Sequence, residues 1–213
     1  FREEMQSLAV VAAGSLLEFT LENHEFSMHV GRVSYMYMRP MSFVEFLWAL
    51  DEKKLADYMI TARESLEMHE SIHKKLLEKF REYTLIGGMP ECVNSWAAEH
   101  NYSVIAEIQG DLLQSYRDDF NKYKDRLSPE VMRMPINSAV KQIGFKFVYS
   151  EVDTTDSSVN VKKSLNSLAL ARLLYKTYHT AGNGLPLGAD MNEKFFKCIF
   201  IDSGLAMNMI GFK

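Results

Sequence analysis

Residues 87–91 read Gly87-Gly88-Met89-Pro90-Glu91, and they interrupt the longest helical pattern of the chain. Two successive glycines allow a tight turn or a close approach of two backbones, because neither residue carries a Cβ. Pro90 fits the first turn of a new helix, where its missing N–H leaves no bond unmade. Glu91 then falls in that first turn, where the helix dipole favours a carboxylate. The stretch therefore predicts a corner between two helices, and a direct chemical role for Glu91 is the less favoured alternative.

Helical patterns extend from this corner in both directions. Residues 53–126 are predicted to be almost entirely helical, with one helix over residues 90–97 and another over residues 104–123. The apolar residues before the corner recur at helical spacing and form one stripe, made up of Leu66, Ile72, Leu76, Leu77, Phe80 and Tyr83. Farther upstream, Ser42 and Glu45 match the capping-box pattern S-x-x-E and predict the start of another helix. The residues expected on its buried face are Phe43, Phe46, Leu47 and Leu50.

Two short apolar stretches near the start of the chain predict strands. Residues 8–13 form an apolar run without alternation that ends at Gly14-Ser15, as in a strand buried on both faces of a parallel sheet. Residues 32–38 are rich in Tyr, Val and Met, and Pro40 stops the run. Ligand-facing groups in such sheets lie at the carboxyl ends of the strands, where Ser15 is found. The sequence therefore predicts the edge of an α/β sheet in this part of the chain.

The last third of the chain predicts two helices followed by a β-hairpin. The first helix covers residues 129–142 and the second covers residues 161–171. Strands at residues 173–180 and 195–201 flank a glycine-rich turn or wing at residues 181–184. Helix, helix and hairpin in this order are typical of a winged helix-turn-helix.

Composition and charge narrow the class of protein. The net charge of −4 gives no overall electrostatic case for binding nucleic acid or anionic membranes. Two cysteines, Cys92 and Cys198, cannot build a disulfide framework or a cysteine-based zinc site. The apolar runs are far shorter than a membrane span, and the charge pattern that follows Phe1 is not that of a signal peptide. We therefore expect a soluble, cytoplasmic chain without a membrane partner, which starts inside a longer protein.

Six segments, taken in order, resemble one family of proteins. They are Ala12-Ala13-Gly14-Ser15-Leu16-Leu17-Glu18-Phe19, Gly31-Arg32-Val33, Arg39-Pro40-Met41-Ser42-Phe43-Val44-Glu45-Phe46-Leu47, Gly87-Gly88-Met89-Pro90-Glu91, Lys146-Phe147-Val148-Tyr149-Ser150 and Ile201-Asp202-Ser203-Gly204-Leu205. In this order they resemble the prokaryotic AAA+ superfamily ATPases in which a P-loop core is followed by a domain of unknown function. The resemblance spans nearly the whole chain, and six ordered matches are more specific than any one of them.

This resemblance implies that the phosphate-binding loop and the acidic strand that handles Mg²⁺ both precede the present chain. No Gly is followed by Lys here, so the pattern G-x-x-x-x-G-K-[ST] is absent. The parent protein is then expected to bind ATP and Mg²⁺, whereas no cofactor is expected on this chain alone. The implied function is the sensor and accessory portion of an ATPase, which couples nucleotide state to a partner and is not catalytic alone. The expected partners are the missing N-terminal P-loop segment and either another protein or further copies of the chain.

Two residues receive candidate roles from the resemblance. Ser15 lies where the family places its sensor-1 residue, which would help to orient the attacking water near the γ-phosphate. A helix N-cap is the alternative role for Ser15. Arg32 is a candidate arginine finger that would stabilise the charge developing on a transferred phosphoryl group. An arginine paired on the surface at a strand start is the alternative for Arg32.

His69-Glu70-Ser71-Ile72-His73 formally matches the zinc motif H-E-x-x-H. On a helix the two imidazoles would lie on one face, with Glu70 as a general base for zinc-bound water. The charged residues around the motif suit a solvated helix face, and no His follows at the spacing of the extended motif. A zinc hydrolase is therefore the least favoured alternative, and we expect no metal site.

Lys162 and Lys163 lie on the second predicted helix of the last third, with Arg172 and Lys176 nearby. These residues could contact phosphates if the winged helix binds DNA. A solvated helix face accounts for the same residues, and the net charge of −4 argues against a DNA partner. A winged-helix DNA-binding module is therefore an alternative function rather than the favoured one.

These patterns together predict an α+β fold that is predominantly α-helical. Residues 1–52 are expected to be the C-terminal remnant of an AAA+ ATPase core, that is, of a P-loop α/β sheet. Residues 53–126 are expected to form a helical region, and residues 127–213 a winged-helix-like domain.

Overall fold

The computed structural model describes residues 9, 11, 13, 14, 34–65, 68–121, 129–152 and 157–211. These residues form eight α-helices and one two-stranded antiparallel sheet. The helices are α1 (Phe43–Ala49), α2 (Lys53–Ser65), α3 (Glu70–Ile86), α4 (Pro90–Glu99), α5 (Tyr102–Asn121), α6 (Pro129–Lys141), α7 (Ser158–Leu170) and α8 (Ser203–Met209). The strands are β1 (Leu174–Thr180) and β2 (Met191–Phe200), and short 3₁₀ turns cover Tyr149–Glu151 and Leu187–Asp190. The fold is therefore α+β and predominantly helical, as the sequence predicts.

The chain divides into two compact units, residues 1–36 and residues 37–213. In the first unit, the described residues lie in neither a helix nor a strand. The strands predicted over residues 8–13 and 32–38 are therefore wrong at the described positions. Val11, in the first of these runs, has 94% of its side chain exposed. A strand needs a hydrogen-bonded neighbour, and the paired strands among the described residues are β1 and β2 alone.

The second unit contains two main hydrophobic cores. The first, which we call the helical core, lies between α1, α3, α4, α5 and α8, and Phe46, Ile86 and Leu205 are completely buried in it. Local chemistry fixes where these helices start. The N–H of Ser42 donates to Glu45 Oε2 at 2.7 Å while the Ser42 side chain accepts from the Glu45 N–H, so the predicted capping box is confirmed. Pro90 occupies the first turn of α4, as predicted.

The second core, which we call the hairpin core, lies between α6, α7 and the β-hairpin. In the hairpin, Leu174 pairs with Phe200 and Tyr178 pairs with Phe196, and alternate residues of both strands contribute to the hairpin core. The segment between α6 and α7 also reaches the sheet, because the Phe147 N–H donates to Phe196 O at 2.9 Å. The Phe147 ring stacks on the Phe196 ring with 5.6 Å between their centroids.

Most of the predicted elements of the second unit are confirmed. The corner at residues 87–91, helices over most of the described part of residues 53–126 and the helix, helix and hairpin order of the last third are all present, with end points that differ by a few residues. The connection between the strands is shorter than the predicted strand bounds imply, because β2 begins at residue 191 rather than at residue 195. Of the predicted apolar stripe, Leu66 lies outside the described residues. The part of the stripe on α3 is only partly buried, since Leu77 is 41% and Phe80 is 49% exposed.

The predicted division at residues 52 and 126 stays a prediction, and both points lie within the unit of residues 37–213. None of the helices in the described part of the chain has the length and the apolar composition needed to cross a bilayer.

Candidate functional site

The corner between α3 and α4 is formed by Gly87 and Gly88. At each glycine a different neighbouring residue leaves no room for a side chain. Gly87 has a left-handed φ of 80°, and its N–H donates to Tyr83 O at 2.8 Å to end α3. A Cβ at Gly87 would lie 2.7 Å from the carboxyl carbon of Asp202. A Cβ at Gly88 would lie 2.7 Å from the backbone nitrogen of Met41. Both distances are below the 3.0 Å that real Cβ atoms essentially never cross, so both neighbours exclude a larger residue.

Asp202 reaches this corner from the far end of the sequence. Its Oδ2 accepts a hydrogen bond from the Gly88 N–H at 2.6 Å, and its Oδ1 accepts one from the Leu205 N–H at 2.9 Å. The side chain is the N-cap of α8, and Asp202 is only 4% exposed. One carboxylate therefore starts the last helix and binds it to a turn located 114 residues earlier.

Helix α8 also packs directly on the end of α3. A Cβ at Gly204 would lie 2.5 Å from the carbonyl carbon of Ile86, so the close approach requires glycine. The carbonyl groups that end α3 are bonded by Gln109 of α5, whose Nε2 donates to Leu85 O at 2.9 Å and to Ile86 O at 3.1 Å. Gln109 is 4% exposed, so these bonds satisfy both a buried side chain and a helix end.

Residues 37–42, which we call the strap, lie in neither a helix nor a strand. The strap is hydrogen-bonded to Gly88 and to Tyr83. The Met41 N–H donates to Gly88 O at 2.6 Å, and Tyr83 Oη donates to Met41 O at 2.7 Å. The Tyr83 ring lies against Phe46, with 5.3 Å between the ring centroids. Gly88 is therefore held at both of its backbone groups, with the N–H on Asp202 and the C=O on Met41.

The strap has a second contact, made with the hairpin part of the unit. The guanidinium carbon of Arg172 lies 3.4 Å from the centroid of the Tyr37 ring, which is a cation–π arrangement. Arg172 stands between α7 and β1 and has a left-handed φ of 58°. Six residues of backbone thus contact both the helical corner and the turn that leads into the hairpin.

Asp202 is the charged group at the centre of this site. Burial raises the pKa of Asp202, and the backbone N–H bonds that its carboxylate accepts offset part of this rise. Burial and then the Asp202 charge raise the pKa of Tyr83 and of Tyr116, and they raise the pKa of Cys92 to about 12. The two phenols and the thiol are therefore neutral near pH 7. The site is therefore made of hydrogen bonds and closely packed backbone, and the raised pKa values do not activate these three side chains as nucleophiles.

The structure does not test the two residues predicted to act on nucleotide. Ser15 and Arg32 both lie outside the described residues. Glu91 is exposed in the first turn of α4, in agreement with the predicted corner. His69 is the residue before α3 and His73 is exposed one turn later. Within the described ranges, no three His, Cys, Asp or Glu side chains are grouped so that they could hold a metal ion.

Sequence reasoning missed the roles of Asp202 and Met41. Asp202-Ser203-Gly204-Leu205 is an acidic residue followed by small residues and then an apolar one, which is the pattern of a helix N-cap. That signal could have placed the start of α8. Nothing in the local sequence around Met41 indicates that its backbone pairs with Gly88, because the two residues are joined only by tertiary packing.

The fold and the site define a predominantly helical α+β protein in which a strap, a glycine corner and a C-terminal helix are joined by buried hydrogen bonds. The chain belongs to the family described as a domain of unknown function (DUF8612), whose sequence profile matches residues 77–213. The match includes Gly87, Gly88 and Asp202, whereas Met41 and the rest of the strap precede it. Comparison with curated proteins and with solved structures found no match.

Proposed function

We propose that this chain is the sensor and accessory portion of an ATP-driven AAA+ protein. In this proposal the strap couples nucleotide state to residues 77–213, which we call the family domain. The observation that carries the proposal is the paired bonding of Met41 to the corner. Both backbone groups of Met41 are engaged, one with Gly88 O at 2.6 Å and one with Tyr83 Oη at 2.7 Å. A segment held in this way transmits a displacement of its upstream end to the residues it contacts, because a close-packed interior does not absorb such shifts.

The sequence resemblance supports the direction of this coupling. Arg32, the candidate arginine finger, lies nine positions before Met41, and Ser15, the candidate sensor-1 residue, lies farther upstream. An upstream P-loop segment would supply the ATP and Mg²⁺ site, and loss of the γ-phosphate would change the position of Arg32. The strap then carries that change to Gly88 and, through Asp202, to α8. The output is a change in the surface that the family domain offers to a protein partner or to further copies of the chain.

The finer architecture belongs to the same proposal. Residues 1–52 are proposed to be the C-terminal remnant of a P-loop α/β core, which an upstream segment would complete in the parent protein. Residues 127–213 are proposed to form a winged helix, and the order of elements supports this. Helix α6 is followed by a segment that bonds to β2 through Phe147, then by a 3₁₀ turn, α7 and the hairpin.

The proposal is tested on the native gene product, purified from its source and mapped by mass spectrometry upstream of Phe1. We expect a G-x-x-x-x-G-K-[ST] loop there and ATP hydrolysis by the protein. Arg32→Ala should lower kcat for ATP by about 10³ or more while nucleotide binding persists. A natural protein without that loop would overturn the proposal.

Hydrogen exchange then tests the coupling itself. Exchange at residues 37–42 and 203–209 should differ between the ADP state and the state with a non-hydrolysable ATP analogue. Tyr83→Phe removes one strap bond, and it should reduce the nucleotide effect at residues 203–209 without changing ATP affinity. The matched control is Tyr102→Phe, since Tyr102 is 49% exposed and its ring lies against Trp96, with 4.4 Å between the ring centroids. A nucleotide effect that is absent from the strap would refute the coupling even if the protein hydrolyses ATP.

A further inference from the structure

The charges of this chain are divided unevenly along the sequence. Residues 127–213 contain ten Lys and Arg against seven Asp and Glu, whereas residues 1–126 contain fourteen against twenty-one. The net charge of −4 therefore combines an acidic N-terminal part with a basic C-terminal part. Charge asymmetry of this kind is a feature of chains that bind a polyanion with one of their regions.

Helix α7 carries part of the excess positive charge on one face. Its buried face consists of Val161, Ser164, Leu165 and Leu168, and the three apolar residues pack in the hairpin core. Lys162, Lys163 and Asn166 are exposed. Lys162 and Asn166 are separated by one helical turn, so they lie on the same stripe of the surface.

A third lysine, Lys176 of the sheet, lies next to Asn166 on this stripe. Lys176 of β1 is half-buried, and its Nζ donates to Asn166 Oδ1 at 2.5 Å. The same Nζ lies 5.4 Å from the centroid of the Phe196 ring. Burial and then the charge of Lys162 lower the pKa of Lys176, which is consistent with two neighbouring cations. The ion pairs between described residues all lie within residues 51–82, and none of them uses Lys162, Lys163 or Lys176.

The hairpin beside this face has an apolar tip. Leu185 is 91% exposed and Leu187 is 55% exposed, and Pro186 lies between them. Helix α7 ends at residue 170 and β1 begins at residue 174, so the hairpin directly follows the helix. A basic helix face and a protruding hairpin are the two parts with which winged helices contact the major groove and the adjacent backbone or minor groove.

We propose that this surface binds duplex DNA through the phosphate backbone. Lys162, Lys163 and Lys176 neutralise phosphates on both sides of the groove that receives α7. Leu185 and Leu187 at the hairpin tip contact the neighbouring minor groove. Duplex DNA is favoured over an anionic membrane because α7 presents two lysines and an amide to solvent, with Val159 in its first turn as its one exposed large apolar residue and Val161, Leu165 and Leu168 turned into the hairpin core. This inference depends on the charge and placement of α7 and β1, and it stands apart from the proposed coupling to ATP.

The test measures binding of the 213-residue chain to a fluorescein-labelled duplex of mixed sequence by anisotropy, from 50 to 200 mM KCl. We expect binding that weakens with salt, as counterion release requires. Lys162→Gln combined with Lys163→Gln should make the slope of log K against log[KCl] shallower by about two, close to one for each lost phosphate contact. The matched control is Lys53→Gln combined with Lys54→Gln, which removes two adjacent exposed lysines from α2. That control should leave the slope unchanged.

Further measurements distinguish DNA binding at this surface from binding that depends only on net charge and from binding to anionic lipid. Leu185→Ser should weaken DNA binding several-fold while leaving the salt slope unchanged, because it removes apolar contact and no charge. Equal effects of the two double variants would overturn the proposal, since binding would then depend on net charge alone. Tighter binding to phosphatidylserine vesicles than to DNA would also overturn it, as would the absence of duplex binding at 50 mM KCl.

Discussion

Replacing Gly88 by alanine tests the corner directly. The added methyl group would lie 2.7 Å from the nitrogen and 2.9 Å from the carbonyl carbon of Met41, and backbone atoms cannot rotate away as a side chain can. The strap must therefore move away from the corner. That movement breaks the 2.6 Å bond from the Met41 N–H to Gly88 O, and it displaces the Gly88 N–H from Asp202.

The expected loss follows from three contributions. An ordinary hydrogen bond contributes about 1 kcal/mol, and a bond to a charged group contributes about 1.5–3 kcal/mol. Forcing an extra methyl group into a packed site costs about 1–3 kcal/mol. Because the contributions overlap, we expect Gly88→Ala to lower the free energy of unfolding by about 3–5 kcal/mol. For a chain of this size the melting temperature should fall by about 10 °C.

Urea unfolding followed by tryptophan fluorescence measures this change, since Trp96 is 5% exposed within the helical core. Gly110→Ala is the control, because a Cβ at Gly110 has no atom within 4 Å and the residue lies inside α5. The control should stabilise the protein by about 0.5–1 kcal/mol, as alanine does in a helix. Amide exchange at Met41 should accelerate in Gly88→Ala alone. A loss below 1 kcal/mol with Met41 still protected would refute the assigned role of this glycine.

Three further results are expected. The pKa of Asp202 is raised on folding, so its contribution to stability is complete below its unfolded pKa and is lost as pH rises through the folded value. The free energy of unfolding of the wild type, measured relative to that of Asp202→Asn by urea titration, should therefore decrease as the pH rises from about 4. A relative free energy that increases with pH would contradict a raised pKa for Asp202. Tyr83→Phe leaves Met41 O without its 2.7 Å bond and should cost about 1 kcal/mol in the same unfolding assay, whereas no change would indicate that water replaces the hydroxyl. The pKa of Cys92 is raised to about 12 and that of Cys198 to about 11 by burial, so neither thiol should react with a disulfide reagent at pH 8 until urea unfolds the chain.

Short-range sequence signals were sufficient to predict most of the helices and the hairpin of residues 37–213. A capping box starts α1, Pro90 starts α4, and Gly87 ends α3, because each of these signals acts within one helical turn. The hairpin was also predictable, since alternating apolar residues and a glycine-rich turn act between neighbours in sequence. The same reasoning failed at those positions of residues 8–13 and 32–38 that the structure describes. An apolar run has strand propensity, but a strand forms only where a partner supplies its hydrogen bonds.

The tertiary structure alone decided the site. Asp202 and Gly88 are 114 residues apart, and Met41 reaches the same glycine from a third part of the chain. Local patterns carry no information about which distant backbone groups will meet, because the packing of α3, α5 and α8 chooses those pairs. The fold also bonds Lys176 of β1 to Asn166 of α7, whereas the sequence indicates only that Lys176 lies near Lys162 and Lys163 along the chain. The amino-acid sequence sets the number and sign of the charged residues, whereas the fold determines which of them lie next to one another.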